Sequence, residues 1–142
     1  MKKSSRSMLG VTLLEIMLVL AIAAMVIVMS IRYYQSASNN QKMAAGLNAV
    51  TSVIAAGESV LGAKGSLATI ATDALPYLPN NAMPNSPWGS PITISGAAAT
   101  TYTIVMNIPS SICPAFLSLV QQNNKLSTSN CSGNTVNVVV NE

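Results

Sequence analysis

The sequence predicts an α+β fold, with one long N-terminal helix followed by a small antiparallel sheet. Three observations support this prediction. No Pro or Gly occurs from residue 11 to residue 45, so a helix can run uninterrupted there. Residues 62–91 are rich in Gly, Pro, Asn and Ser and form an irregular connection. Segments with β-branched residues and partial alternation follow, as in short strands.

The helix is predicted over residues 12–61 and has two unlike halves. Residues 11–31 are apolar apart from Thr12, Glu15 and Ser30, and at about 1.5 Å per residue they span roughly 31 Å, enough to cross a bilayer core. In the second half, apolar residues recur at helical spacing, which predicts a stripe that lies on the sheet. This stripe consists of Met43, Leu47, Val50, Ile54 and Leu61.

The remaining predicted elements are short. They are a helical turn at Leu67–Leu75, strands at Ile92–Ser95, Thr101–Ile108 and Thr135–Val140, and a short helix at Pro114–Gln121.

The composition argues against catalysis. Only 8% of the 142 residues are charged, there is no histidine, and there are four acids, so an exported enzyme with a membrane anchor lacks its acid–base groups. We therefore expect no enzyme activity, no cofactor and no metal site. Beyond residue 10 four bases face four acids, so direct nucleic-acid binding is not expected either, in spite of a pI of about 9.1.

The N-terminus allows three interpretations. The basic stretch before the apolar run fits a secretory signal peptide with a cleavage site at Ala21-Ile22-Ala23, or a plain transmembrane anchor. Neither explains Glu15, because a carboxylate inside hydrocarbon costs roughly 2.5 kcal/mol or more and usually has a partner. Glu15 reaching back to the headgroups is the alternative that needs no partner.

The third interpretation rests on a resemblance. Gly10, the run Val11-Thr12-Leu13-Leu14-Glu15 and the apolar stretch behind it resemble the class III signal of type IV pilins and related pseudopilins. In that family a prepilin peptidase cuts after the glycine and N-methylates the new first residue, here Val11. The resemblance implies a cleaved leader at 1–10, a hydrophobic assembly and transmembrane helix at 11–35, and a pilin globular domain at 36–142.

The same resemblance implies the partners. Glu15 of one subunit would pair with the N-terminal amine of the next, and the subunits would form a helical homo-oligomeric filament. The precursor would sit in the inner membrane, meet the peptidase and the pilus assembly platform, and end in an extracellular pilus. A major pilin is the leading interpretation, and a minor pilin or a pseudopilin of type II secretion or DNA uptake is the alternative.

The two cysteines, Cys113 and Cys131, predict one disulfide if the chain is exported, and two free thiols if it is cytosolic. Their spacing resembles the disulfide-bounded region of type IV pilins. The stretch around Trp88 resembles the segment before the first strand in pilins and pseudopilins. Some pseudopilins bind calcium near there, but this chain has too few carboxylates for such a site.

Residues 32–38 stand where the apolar run ends. The Arg32-Tyr33-Tyr34 sequence fits interfacial anchoring, and the run from Tyr33 to Ser38 resembles bundle-forming type IVb pilins. Many type IV pilins have a proline at the position of Arg32, where the helix unwinds in the filament. The departure here predicts a helix that unwinds less, or elsewhere.

Overall fold

The structure, a computed structural model, describes residues 12–122 and 126–141. Its helices are α1 (Leu13–Lys64), α2 (Ile70–Asp73) and α3 (Cys113–Val120), with 3₁₀ turns at Leu75–Tyr77 and Pro79–Asn81. Its strands are β1 (Thr93–Ser95), β2 (Thr101–Asn107), β3 (Leu126–Ser132) and β4 (Thr135–Asn141). A long helix followed by antiparallel strands confirms the predicted α+β class.

The chain divides into two compact units between Ser38 and Asn39, and α1 contributes residues to both. The helix begins after Thr12 and ends where Gly65 takes a φ of 68° and donates its N–H to the Leu61 carbonyl at 2.7 Å. A left-handed glycine of this kind is a common helix stop because it has no Cβ to clash.

The sheet has the order β1-β2-β4-β3 and is antiparallel throughout. In the central pair, Ile104 lies opposite Val138, and alternate residues of β2 and β4 are fully buried. With a period of two, these residues share one face of the sheet. The buried set on this face is Tyr102, Ile104, Met106, Val136, Val138 and Val140.

The second half of α1 covers the core, as predicted, but its buried face is rotated from the predicted stripe. Val50 and Ile54 are buried, whereas Met43, Leu47 and Leu61 are only partly buried and pack at its rim. The fully buried positions also include Gly46, Val53, Ala56, Gly57 and Val60. The predicted stripe included only large apolar side chains, and it therefore missed Gly46 and Gly57 at the centre of the buried face.

The two glycines allow close packing. A Cβ built on Gly57 would lie 2.6 Å from the hydroxyl oxygen of Tyr102, and one on Gly46 would lie 3.2 Å from Phe116 and 3.3 Å from Trp88. At Gly57 no side chain fits without displacing the Tyr102 ring. The low helix propensity of glycine is therefore offset by contact with large aromatic side chains.

Strand β3 was not predicted. Its sequence is mostly Ser, Thr and Asn, and it lies at the edge of the sheet, where it needs no continuous apolar face. A two-residue turn at Gly133-Asn134, with Gly133 at φ 60°, brings β3 back along β4. Glycine at the first turn position fits a type II′ hairpin, so the turn sets the pairing where hydrophobic alternation does not.

The three predicted strands and the predicted short helix are confirmed to within one residue at each end. Helix α3 begins at Cys113, with Pro114 in its first turn, where a missing N–H costs nothing. The helical turn predicted at Leu67–Leu75 appears as α2 and the first 3₁₀ turn.

Candidate assembly site

The first half of α1 is an exposed apolar cylinder. Its large side chains from Leu13 to Ile31 have exposed fractions between 50% for Ile16 and 74% for Leu14. The segment is long and apolar enough to cross a membrane, and none of its most apolar stretch is buried within the described structure. A surface this apolar on all sides of a helix is stable only when lipid or other protein covers it.

Glu15 lies in the first turn of this helix. Its N–H donates to the Thr12 carbonyl at 2.9 Å and lies 3.3 Å from the Thr12 hydroxyl oxygen, so Thr12 caps the helix. A carboxylate in the first turn also faces the positive end of the helix dipole. Within the described residues, the Glu15 carboxylate has no ion pair or hydrogen-bonding partner, so it is available to a group from outside them.

The far end of the apolar half carries Arg32, Tyr33 and Tyr34. Both tyrosines are strongly exposed, at 80% and 75%. Arg32 lines a shallow groove of about 370 Å³ together with Ala24, Met25, Val28 and Met29. Arg32 itself is exposed. The helix is continuous through this region, without a break near Arg32.

Two predicted site residues, Gly10 and Val11, lie outside the described residues. Their roles in cleavage and methylation remain predictions. Of the predicted assembly residues the structure therefore places Glu15 alone.

The predicted disulfide is present. It joins Cys113 at the start of α3 to Cys131 in β3, with Cα atoms 6.2 Å apart. Cys113 is completely buried, whereas Cys131 is exposed. The bond therefore fastens the polar edge strand to the core through α3.

The segment before β1 is held by Ser86. Its hydroxyl donates to the Asn107 carbonyl at 3.1 Å and accepts the Trp88 N–H at 3.3 Å. The Trp88 ring packs edge-on against buried Phe116, with centroids 6.3 Å apart. Trp88 thus packs this loop against the core.

Asp73 is held at the end of α2. Lys64 Nζ lies 2.6 Å from Asp73 Oδ1, and the Thr69 hydroxyl donates to Oδ2 at 2.5 Å. The hydrogen bond from Lys64, and then that from Thr69, lower the pKa of the Asp73 carboxyl. Among the described residues no group of three His, Cys, Asp or Glu is placed to hold a metal ion.

The globular part of the chain matches a known protein family. A family model described as bundlin covers residues 35–137, which is most of the chain. The chain belongs to the bundlin family. No significant match was found among curated proteins or solved structures.

Bundlins are type IV pilins, so the resemblance of the N-terminal segment and the family match agree. Members of this family are structural subunits of a pilus filament at the cell surface rather than known enzymes. The exposed apolar half of α1 fits a membrane-anchored precursor. The match also agrees with the likeness of residues 33–38 to bundle-forming pilins.

The sequence contains one further local signal, which marks the start of α1. Thr12 and Glu15 form a Thr-x-x-Glu motif, which is a capping-box signature and marks the helix start. Lys64, Thr69 and Asp73 gave no comparable signal, because their contact depends on how the chain turns after Gly65.

Proposed function

We propose that this bundlin is the major subunit of a type IV pilus. The precursor is cut after Gly10 and N-methylated at Val11 by a prepilin peptidase in the inner membrane. An assembly platform then moves the mature chain into the filament. The observation that carries the proposal is the apolar half of α1, which is exposed on all sides and has a single carboxylate at its capped start.

The physical reason concerns two charges. Cleavage after Gly10 places a positive amine on Val11, at the tip of an apolar helix. When that helix leaves lipid for a bundle of its copies, the amine and Glu15 enter a low-dielectric environment, where each is costly alone and tolerable as a pair. Pairing between neighbouring subunits fixes their register, while packing of the apolar side chains supplies the association energy.

The test is the intact mass of this protein in material sheared from the surface of the source cells. We expect a chain that starts at N-methyl-Val11 and is two hydrogens lighter because of the disulfide. Mature protein found only in the membrane fraction would instead indicate a minor pilin or a secretion pseudopilin. A chain that starts after Ala23 would indicate an ordinary secreted protein and overturn the proposal.

Two substitutions separate processing from assembly. Gly10→Ala should leave the full-length precursor in the membrane, because the peptidase loses its cleavage site. Glu15→Ala should be cleaved normally but give few filaments, because the Val11 amine loses its partner. Ser59→Ala, an exposed polar change in the second half of the same helix, is the matched control and should assemble normally. Undiminished filaments from Glu15→Ala would end the pairing argument.

A further inference from the structure

The charge inventory of the first half of α1 is short. Between residues 12 and 41 the chain has one acid, Glu15, and one base, Arg32. Both are exposed, and within the described residues neither has an ion-pair partner. They lie in the same compact unit and on one continuous helix.

Arg32 becomes covered when the apolar residues beside it are covered. It lines one groove with Ala24, Met25, Val28 and Met29, so a copy that shields this apolar groove also covers part of Arg32. An arginine stays protonated in proteins, and a covered guanidinium needs an acceptor. The assembled filament therefore requires a partner for Arg32 that the described residues of the same chain do not supply.

The spacing between Glu15 and Arg32 determines how these two charges can be presented to neighbouring copies. The two residues are 32 − 15 = 17 positions apart, which corresponds to about 26 Å along the axis and about 100° around it. Because the charges point in different directions, one helix cannot pair them internally. It presents the acid to one neighbour and the base to another.

We propose that Arg32 of one subunit pairs with Glu15 of a second copy, displaced by about 26 Å along the helix axis towards the globular end. This inference rests on the proposed assembly through α1. The contact joins two different surfaces head to tail, and such contacts build open helical filaments rather than closed dimers. A carboxylate has lone pairs for more than one donor, so Glu15 accepts the guanidinium together with the Val11 amine of another subunit.

The first test is the yield of sheared filaments from Arg32 variants, normalised to the processed subunit in the membrane. Arg32→Gln should lower the normalised yield by about tenfold or more, since truncating one member of a covered charge pair is costly. Arg32→Lys, which keeps the charge without the planar fork, should fall between Arg32→Gln and the unmodified protein. The matched control Ser59→Ala, in the second half of α1, should assemble normally.

Two outcomes of this test overturn the inference. A normal filament yield from Arg32→Gln would show that the guanidinium needs no acceptor in the fibre. A loss of processed subunit from the membrane in the same proportion as the filaments would show that Arg32 acts only as an anchor at the lipid headgroups.

The second test measures the register directly. In the proposed arrangement residue n of one subunit lies beside residue n + 17 of another, so the double variant Val19→Cys/Ser36→Cys places its cysteines together, one turn beyond the charge pair. Mild oxidation of intact filaments should give a ladder of linked subunits on a non-reducing gel. The matched control is Val19→Cys/Met29→Cys, whose offset of ten residues points almost the same way around the helix but differs by about 10 Å along it.

The ladder separates this inference from the proposed function. A ladder from the 19/36 variant and none from the 19/29 variant supports the register. Filaments that form but link only through 19/29, or through neither pair, overturn the Arg32–Glu15 contact and leave the filament function standing. If even the unmodified protein forms no filament, the proposed function itself fails.

Discussion

The two halves of α1 use similar apolar residues for opposite purposes. In the first half Leu, Ile, Val and Met surround the helix and stay exposed, whereas in the second half they form one face that is buried against the sheet. The difference lies in what interrupts the apolar residues. From Leu13 to Ile31 the polar residues are Glu15 and Ser30, whereas after Arg32 Asn, Gln, Lys, Ser and Thr recur along the helix. Polar residues at helical spacing turn an assembly surface into a folding surface.

The largest effects are expected from two matched Ile→Ala truncations, one in each half of α1. Ile54→Ala removes a buried side chain in the second half of α1 and should cost about 2–5 kcal/mol in the free energy of unfolding. Ile22→Ala removes the same atoms from a side chain that is 56% exposed, so it should leave unfolding unchanged and lower the filament yield. Denaturation of the mature protein in detergent and shearing assays measure the two quantities. Equal loss of stability in both variants would contradict the division.

Removing the disulfide should have the next largest effect. Cys113→Ser combined with Cys131→Ser frees an edge strand that has few apolar contacts of its own, and the free energy of unfolding should fall by about 3 kcal/mol. Urea unfolding of the oxidised protein and of this variant checks the prediction. Since the first half of α1 lies in another unit, membrane insertion of the variant should be unchanged.

A pair of glycine substitutions tests the close packing of the second half. Gly57→Ala would bring a Cβ within 2.6 Å of the Tyr102 hydroxyl and should destabilise the globular part by about 1–3 kcal/mol. Gly62→Ala, five residues later on the same helix, has nothing within 4 Å and should stabilise it by about 0.4–1 kcal/mol. Opposite shifts in thermal unfolding are expected. Shifts of the same sign would show that helix propensity alone governs both sites.

The smallest effect concerns pH. Because the folded-state pKa of Asp73 lies below its ordinary value near 4, the folded state binds fewer protons than the unfolded state in that range. The contribution of its pair with Lys64 should be fully present above about pH 4 and be lost as the pH falls through the folded pKa. Asp73→Asn should flatten this part of the stability profile. An unchanged acid profile in that variant would show that the pair does not stabilise the fold.

Prediction from the sequence succeeded where a physical pattern was local. The start of α1, the limits of β2, the short α3 and the disulfide follow from propensity, breakers and cysteine count, whereas α1 ends at Lys64, three residues beyond the predicted end. The buried face of α1 was misplaced, because the importance of Gly46 and Gly57 becomes visible only when Trp88, Phe116 and Tyr102 lie against them. Strand β3 was missed because a turn and a neighbouring strand define it rather than its own side chains.

The site shows the same division between local and distant information. Glu15 stood out from the sequence because a lone acid in an apolar run needs a reason. The absence of an internal partner for Arg32 within the described residues, and the groove it shares with Met25 and Met29, required the structure. The roles of Gly10 and Val11 rest on the resemblance alone and stay predictions.

The central claim, that the first half of α1 is an assembly surface and the second half a folding surface, is tested most directly by a density map of the native filament. We predict that residues 12–31 of neighbouring subunits pack together at the fibre centre, that the helix stays continuous through residues 24–32, and that the sheet lies outside. A map in which these segments do not contact one another would contradict the claim. Unwound backbone at residues 24–32 would contradict the predicted continuity of the helix.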